Sequence, residues 1–135
     1  PRSTRLPYTT LFRSHMLNEV QGERFPRYFL SMGYDGKRYA YIFGGMGNES
    51  GDQTVGRRFF YDLHRYDTRT NRVEKVWNID WKHNRDIVFS KSMVLTRDSF
   101  YTIGYSEFKS NSYIHLYRFS LRDAHTGWSF HRLIN

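Results

Sequence analysis

Histidine and acidic side chains are the groups in this chain best suited to acid–base or metal chemistry, but their spacing does not assemble a site. The 135 residues include six histidines and no cysteine. No two histidines have the i,i+4 spacing of a helical metal site, and motifs for a serine nucleophile, a phosphate-binding loop or paired carboxylates are absent. The lack of cysteine excludes disulfides, thiolate metal sites and thiol catalysis. The sequence therefore predicts no catalytic residue, no metal and no cofactor.

Three polar segments are better candidates for binding than for catalysis. The loops 46–58 and 106–111 and the joint 80–87 interrupt strand-like segments, and loops on a rigid scaffold often carry recognition. Trp81 is the strongest candidate for a contact, since a large aromatic residue is unexpected in a polar joint, although packing between structural units would also explain it. The alternative for the others is a solvated turn. We predict a ligand-binding rim made of Asn48, Glu49, Asp52, Arg57, Arg58, Trp81, His83, Arg85, Glu107, Lys109 and Asn111.

The elements that must position these loops are β-strands. Aromatic residues make up 19% of the chain and occur in short bursts with β-branched residues, which is typical of strands. Asp35-Gly36 predicts a hairpin turn between the first two strands. The predicted strands are 27–36, 37–45, 59–67, 72–79, 88–98, 99–106, 112–121 and 128–135.

The two groups of four strands form an internal repeat. A shift of 61 residues places Tyr39 on Phe100, and a shift of 53 places Leu63 on Leu116. The two shifts differ because the loop 46–58 is longer than its counterpart, and repeat units commonly vary in their loops. A recurring four-stranded antiparallel unit of this length is typical of a β-propeller blade. Bulky side chains on both faces of the third strand also favour blades that stack on each other.

Arg65 and Arg118 occupy equivalent positions on the two third strands under the shift of 53. They could line a central channel. We expect a structural role instead, in which each arginine bonds backbone carbonyl groups between neighbouring blades.

The second predicted strand ends in Gly44 and Gly45. Because glycine has no Cβ, they predict a positive φ, close backbone packing and a sharp exit of the chain from the sheet. The third predicted strand ends in Tyr66 and Asp67. This pattern resembles a kelch repeat, in which the second strand ends in a double glycine, the third ends in Tyr-Asp and a tryptophan opens the fourth. The second repeat lacks the double glycine, and Val73 stands at the tryptophan position of the first. The resemblance implies an all-β fold of two consecutive four-stranded antiparallel blades from an incomplete kelch-type, galactose-oxidase-like β-propeller. The residues that carry it are Gly44, Gly45, Tyr66, Asp67 and Trp128.

The resemblance also divides the chain. We expect 15–24 to be a linker or the end of a preceding blade, 25–80 to be the first blade and 81–135 the second. Closed propellers need about four or more blades, and two blades leave sheet edges exposed. We therefore expect further blades in a longer protein, and poor solubility or partial folding of this chain alone.

Residues 1–14 are left out of this division. The segment from Pro7 to Ser14 resembles the translation of a common sequencing-adapter oligonucleotide, so we interpret 1–14 as artefactual and disordered. Subtracting its three arginines lowers the net charge from +8 to +5. This smaller excess of positive charge, interspersed with acidic residues, argues against a nucleic-acid partner. Weak, strongly salt-dependent DNA binding would support such a partner again. No apolar run reaches the roughly 18 residues of a membrane span.

Two functions fit the resemblance. The first is a non-catalytic propeller segment that binds a protein or carbohydrate ligand through the rim. Similarity to bacterial kelch-like propellers of envelope and sensor proteins implies a periplasmic or extracellular location for it. The second is a sugar-acting enzyme, such as an epimerase, whose active site lies in missing blades. Copper radical oxidases of the same family use a tyrosine cross-linked to cysteine, and this chain has no cysteine to supply that centre.

Overall fold

The computed structural model describes residues 19–22, 27–48, 58–80, 86–123 and 129–134, the last range by its backbone only. These ranges contain strands and turns without a helix, so the all-β prediction is confirmed, and none of them offers a helix able to cross a membrane. The strands are β1 (Gln21–Gly22), β2 (Arg27–Tyr28), β3 (Ser31–Tyr34), β4 (Tyr39–Phe43), β5 (Met46–Gly47), β6 (Arg58–Phe59), β7 (Asp62–Asp67), β8 (Arg72–Asn78), β9 (Val88–Phe89), β10 (Val94–Leu95), β11 (Ser99–Phe108), β12 (Asn111–Ser120) and β13 (Ser129–Ile134).

Sheet 1 is a four-stranded antiparallel meander of β3, β4, β7 and β8. Its first turn is the predicted Asp35-Gly36 hairpin, where Gly36 has a φ of 78° and the Asp35 carboxylate accepts hydrogen bonds from the backbone N–H groups of Lys37 and Arg38. Although desolvation raises it, these hydrogen bonds hold the pKa of Asp35 below its ordinary value. Strand β1 adds to the outer edge in parallel with β8, so residues 21–22 belong to sheet 1 itself.

Sheet 2 is a second antiparallel meander, of β10, β11, β12 and β13, and β9 extends its first strand. The long β11–β12 hairpin makes the predicted loop at 106–111 shorter than expected. Glu107 pairs with Ser112 and Phe108 with Asn111, so only residues 109–110 form the turn. Lys109 and Ser110 both have positive φ, which is the conformation of a two-residue turn that matches strand twist.

The hydrogen-bond register shows which residues of the two sheets are equivalent. Tyr41 lies opposite Arg65 in sheet 1, as Tyr101 lies opposite Arg118 in sheet 2. This pairing is incompatible with using both predicted shifts, 61 and 53. The backbone hydrogen bonds agree with 53 for the third strands and 60 for the second strands, because Thr68 donates to the Arg38 carbonyl as Leu121 donates to the Asp98 carbonyl. The shift of 61 is wrong by one residue because it aligns large apolar residues with each other. The two sheets use opposite faces for their shared core, so their buried residues are not equivalent.

The shared core lies between the sheets and is centred on Phe43, which is fully buried. The Phe43 ring lies 4.7 Å from the Phe119 ring, 4.9 Å from Phe89 and 5.2 Å from Phe100, measured between centroids. Sheet 1 contributes the face that holds Tyr41, Phe43 and Leu63, and sheet 2 contributes the face that holds Phe100, Tyr117 and Phe119. Their register equivalents lie on opposite faces, so the sheets stack in the same orientation, as successive blades do.

A tryptophan of the fourth strand anchors this interface, but it is Trp77 rather than the residue at position 73. The Trp77 side chain is buried in the shared core, and its indole Nε1–H donates a hydrogen bond to the backbone carbonyl of Ser120 at 2.9 Å. This is one of the direct hydrogen bonds between the sheets. The predicted counterpart Trp128 lies outside the described residues.

Arg65 is held within its own sheet. Its guanidinium pairs with the Glu74 carboxylate across β7 and β8 and lies 4.5 Å from the centroid of the Tyr39 ring. The partner described for it is thus a carboxylate of the neighbouring strand, not the backbone carbonyl expected from the sequence. Arg118, at the equivalent position, is exposed.

The Tyr66-Asp67 motif closes the turn 68–71. The Asp67 carboxylate accepts hydrogen bonds from the Arg38 guanidinium at 2.6 and 2.9 Å and from the backbone N–H of Arg69 at 2.9 Å. The Arg38 hydrogen bonds hold the pKa of Asp67 well below its ordinary value, against an opposing effect of desolvation. The Tyr66 hydroxyl donates to the Asn71 side chain at 2.8 Å, where Asn71 adopts a positive φ.

We expect Phe43→Ala to destabilise the protein by about 3–5 kcal/mol, because it removes the ring at the centre of the shared core. Phe29→Ala is the matched control, since that ring is 54% exposed. Urea denaturation at one protein concentration checks both variants. Equal losses in the two variants would contradict the central role of Phe43.

We expect Asp67→Asn to be less stable than the wild type at pH 7, with a difference that shrinks in acid. The folded-state pKa of Asp67 lies below its unfolded value of about 3.9, so its contribution is complete above roughly pH 5 and is lost as the pH falls towards the folded-state value. Denaturation midpoints between pH 7 and pH 3 measure this. Asp98→Asn, which removes an exposed carboxylate, is the control. A difference that stays constant with pH would show that Asp67 stabilises by another route.

Candidate functional site

One end of sheet 1 corresponds to the predicted rim. Strand β4 ends there, β7 begins there and β8 ends there, since Phe43 pairs with Leu63 and Asp62 pairs with Asn78. Because neighbouring strands are antiparallel, the chain leaves sheet 1 at this same end for both the loop 46–58 and the joint 80–87. The strand order thus brings the described ends of both segments to one end of the sheet.

Gly44 and Gly45 kink the sheet at this end. Both have positive φ, at 71° and 101°. A Cβ on Gly44 would lie 3.1 Å from the carbonyl oxygen of Phe60, and one on Gly45 would lie 3.0 Å from that of Tyr28. The predicted positive φ and close backbone approach are therefore confirmed. The chain therefore leaves sheet 1 after the double glycine, and it enters a small antiparallel sheet in which β5 pairs with β2 and β6, which we call the rim sheet.

A buried ion pair fastens the rim sheet to sheet 1 at the kink. The side chains of Arg27 and Asp62 are 5% and 3% exposed and form two hydrogen bonds, of which Nη2 to Oδ2 is 2.8 Å. Arg27 Nη1 also donates to the Gly44 carbonyl at 3.0 Å, and the guanidinium lies 4.3 Å from the centroid of the Phe60 ring. Removing one partner of such a pair leaves a buried charge, which typically costs about 3–5 kcal/mol. The pair therefore holds the rim sheet against sheet 1 at the kink.

A cleft of about 340 Å³ opens beside this kink. The rim sheet, the two residues between β6 and β7, the end of β8 and the joint between the sheets contribute its walls. Its polar lining consists of two carboxylates, an amide and a guanidinium, and its apolar lining consists of aromatic and aliphatic side chains. The lining residues are Met46, Arg58, Phe59, Phe60, Tyr61, Asn78, Ile79, Asp80 and Asp86.

Tyr61 holds the joint against sheet 1 at the cleft. Its hydroxyl donates to the Asp86 carboxylate at 3.3 Å and accepts a hydrogen bond from the backbone N–H of Ile87 at 3.1 Å. Burial raises the pKa of Tyr61 well above its ordinary value, so the phenol stays protonated near neutral pH. The tyrosine therefore positions Asp86 and is not poised to act as a base.

The cleft combines groups that can bind hydroxyl oxygens. Carboxylates accept hydrogen bonds, a guanidinium donates them and the Asn78 amide does both. The Arg58 guanidinium lies 4.5 Å from the centroid of the Phe60 ring, so the ring supports its position. In the part of the chain that the structure describes, no three metal-ligating side chains converge.

The structure places one of the predicted rim residues in the cleft, which is Arg58. Asn48 is buried and does not line it. Three others lie exposed at the tip of the β11–β12 hairpin, away from the cleft lining: Glu107, Lys109 and Asn111. The remaining predictions fall outside the described residues: Glu49, Asp52, Arg57, Trp81, His83 and Arg85.

Most of the cleft residues were missed by sequence reasoning. Asp80 and Asp86 stand at the two ends of the joint that the sequence did identify, so their position was a usable signal. Asn78 and Tyr61 gave no signal, because each lies in a segment that reads as an ordinary strand. The inward turn of the chain at the kink brings these segments together.

Comparison with known proteins returned no relative for this chain. No family model matches it, and no curated protein or solved structure matches it. The kelch resemblance therefore remains a prediction from the motif residues.

We expect Gly44→Ala to destabilise the protein more than Gly36→Ala. Both positions have positive φ, which costs an alanine about 1–2 kcal/mol. Only at Gly44 would the Cβ also press on a neighbouring backbone oxygen, because nothing lies within 4 Å of a Cβ at Gly36. Urea midpoints of the two variants measure the difference, and equal midpoints would contradict a close-packed kink.

Proposed function

We propose that this chain is part of a non-catalytic kelch-type β-propeller and that it binds a carbohydrate in the cleft at the rim. The cleft is the observation that carries the ligand proposal. Its volume of about 340 Å³ is in the range of small-ligand sites, roughly 300–1,000 Å³, and favours a sugar over a broad protein interface.

The chemistry of the lining supports a sugar as the ligand. Sugars present several hydroxyl groups around a ring whose C–H faces are apolar. Asp80, Asp86 and Asn78 offer acceptors and donors to the hydroxyl groups, while Phe59 and Ile79 offer apolar surface to the ring. A ligand with many hydroxyl groups and no net charge fits this combination better than a purely apolar or a strongly charged ligand.

The state of Tyr61 supports a positioning role for this residue in binding rather than a role in proton transfer. Tyr61 is kept protonated by burial, and its hydroxyl already engages Asp86. General acid–base catalysis needs a side chain that gains and loses a proton near the working pH. An epimerase-type activity is the competing function, and it would place such a pair in blades beyond this chain.

We expect neutral sugars to bind the full chain and Asp80→Asn or Asn78→Ala to weaken that binding at least tenfold, which corresponds to about 1.4 kcal/mol. Saturation-transfer NMR with glucose, galactose, mannose and their β-linked disaccharides provides the measurement, followed by titration calorimetry on any sugar that binds.

Asp98→Asn serves as the control, because Asp98 is an exposed carboxylate outside the cleft lining. Absence of binding by the whole panel would overturn the proposal, as would equal binding by the cleft variants and the control. Conversion of a bound sugar into its epimer would favour the enzyme instead.

A further inference from the structure

Sheet 2 has a second face that is apolar and turned away from the shared core. Neighbouring residues along a strand point to opposite faces, so the residues next to the buried Phe100 and Thr102 face outward. Val94 is 67% exposed and Ile103 is 44% exposed. We call this the outward face of sheet 2, formed by Val94, Tyr101, Ile103, Leu116 and Arg118.

The outward face of sheet 2 repeats the face by which sheet 1 binds sheet 2. By strand register, Tyr101 corresponds to Tyr41, Ile103 to Phe43, Leu116 to Leu63 and Arg118 to Arg65. Two of the four residues in sheet 1 are fully buried against sheet 2. The same pattern of side chains is therefore covered by sheet 2 in sheet 1 and left exposed in sheet 2.

The face of sheet 1 that is turned away from the shared core repeats the face by which sheet 2 binds sheet 1. Met32 and Tyr34 of sheet 1 correspond to Met93 and Leu95, which pack in the shared core of sheet 2. Met32 is 46% exposed and Tyr34 is 57% exposed. We call this the outward face of sheet 1, and its exposed and half-buried residues are Met32, Tyr34, Ala40, Ile42 and Tyr66. His64, opposite Ile42 on the same face, is buried. The described chain thus has one partner surface at one end and its complement at the other.

We propose that a second copy of this chain covers these faces, in place of the further blades of a longer protein that the resemblance implies. The outward face of sheet 2 in one copy packs on the outward face of sheet 1 in the next. An assembly built by such a head-to-tail contact keeps one of the two complementary faces open at each of its ends. Further copies therefore add until a ring closes. With two blade-like sheets in each copy, roughly two to four copies would supply the roughly four to eight blades of a closed propeller. The inference shares the propeller premise of the proposed function but does not depend on sugar binding.

Light scattering coupled to size-exclusion chromatography tests the full chain, its Ile103→Glu and Met32→Glu variants and an equimolar mixture of the two. We expect the wild type to form a discrete particle of two to four times the 16.4 kDa chain mass. Each variant should be monomeric, because it keeps only one working face. The mixture should form a one-to-one dimer, since each copy supplies the face that the other lacks.

Two further variants separate assembly from folding. Asn111→Glu places the same acid at the tip of the β11–β12 hairpin, outside both faces, and should assemble like the wild type. Val94→Glu should repeat the effect of Ile103→Glu from a more exposed position. Fluorescence of the buried Trp77, measured in a Trp81→Phe, Trp128→Phe background in which it is the sole tryptophan, reports whether the shared core is intact in each protein. Sugar binding in the cleft should be retained in the same variants. A failure of sugar binding would leave the assembly proposal standing, and a failure of assembly would leave the sugar-binding proposal standing.

Three results would overturn the proposal. One is a wild-type chain that is monomeric and melts cooperatively. Another is a dimer lost in Ile103→Glu but kept in Met32→Glu, because this indicates a symmetric contact between two copies of sheet 2. The third is association that neither face variant changes.

Discussion

The packing of one aromatic ring between two sheets is the interaction on which the rest of this structure depends. Phe43 is the last residue of β4, directly before the double glycine, so the residue that joins the sheets also sets where the kink begins. Burying such a ring is worth a few kcal/mol, and its edge-to-face contacts with Trp77 and Phe89 add to that. Because the joint carries Asp86 next to the buried Ile87, the same packing also brings the second wall of the cleft into place.

The sequence was most informative where a local physical rule applied. Alternating aromatic and β-branched residues predicted both meanders, Asp35-Gly36 predicted the first hairpin and the double glycine predicted positive φ. These rules depend on neighbouring residues alone. The register of the second strands was misjudged by one residue, since a match of apolar residues cannot tell which of two faces is buried.

The cleft could not be predicted in the same way, because it depends on contacts between distant segments. Arg27 and Asp62 are 35 residues apart, and nothing in either local sequence indicates that they pair. Their pairing holds the rim sheet against sheet 1, and Arg58 of the rim sheet lines the same cleft as Asn78 and Asp80. A reader of the sequence sees three ordinary strand ends, whereas the folded chain makes them the walls of a single site.

The ion pair at the kink also has a consequence for motion. Opening the rim sheet away from sheet 1 would separate two buried charges. A partial opening is therefore nearly as unfavourable as unfolding the rim sheet and sheet 1 together. The rim sheet and sheet 1 should thus behave as one rigid unit on the timescale of ligand encounter. A molecule that enters the cleft meets a wall whose shape was set during folding, and it loses little free energy to reorganising that wall.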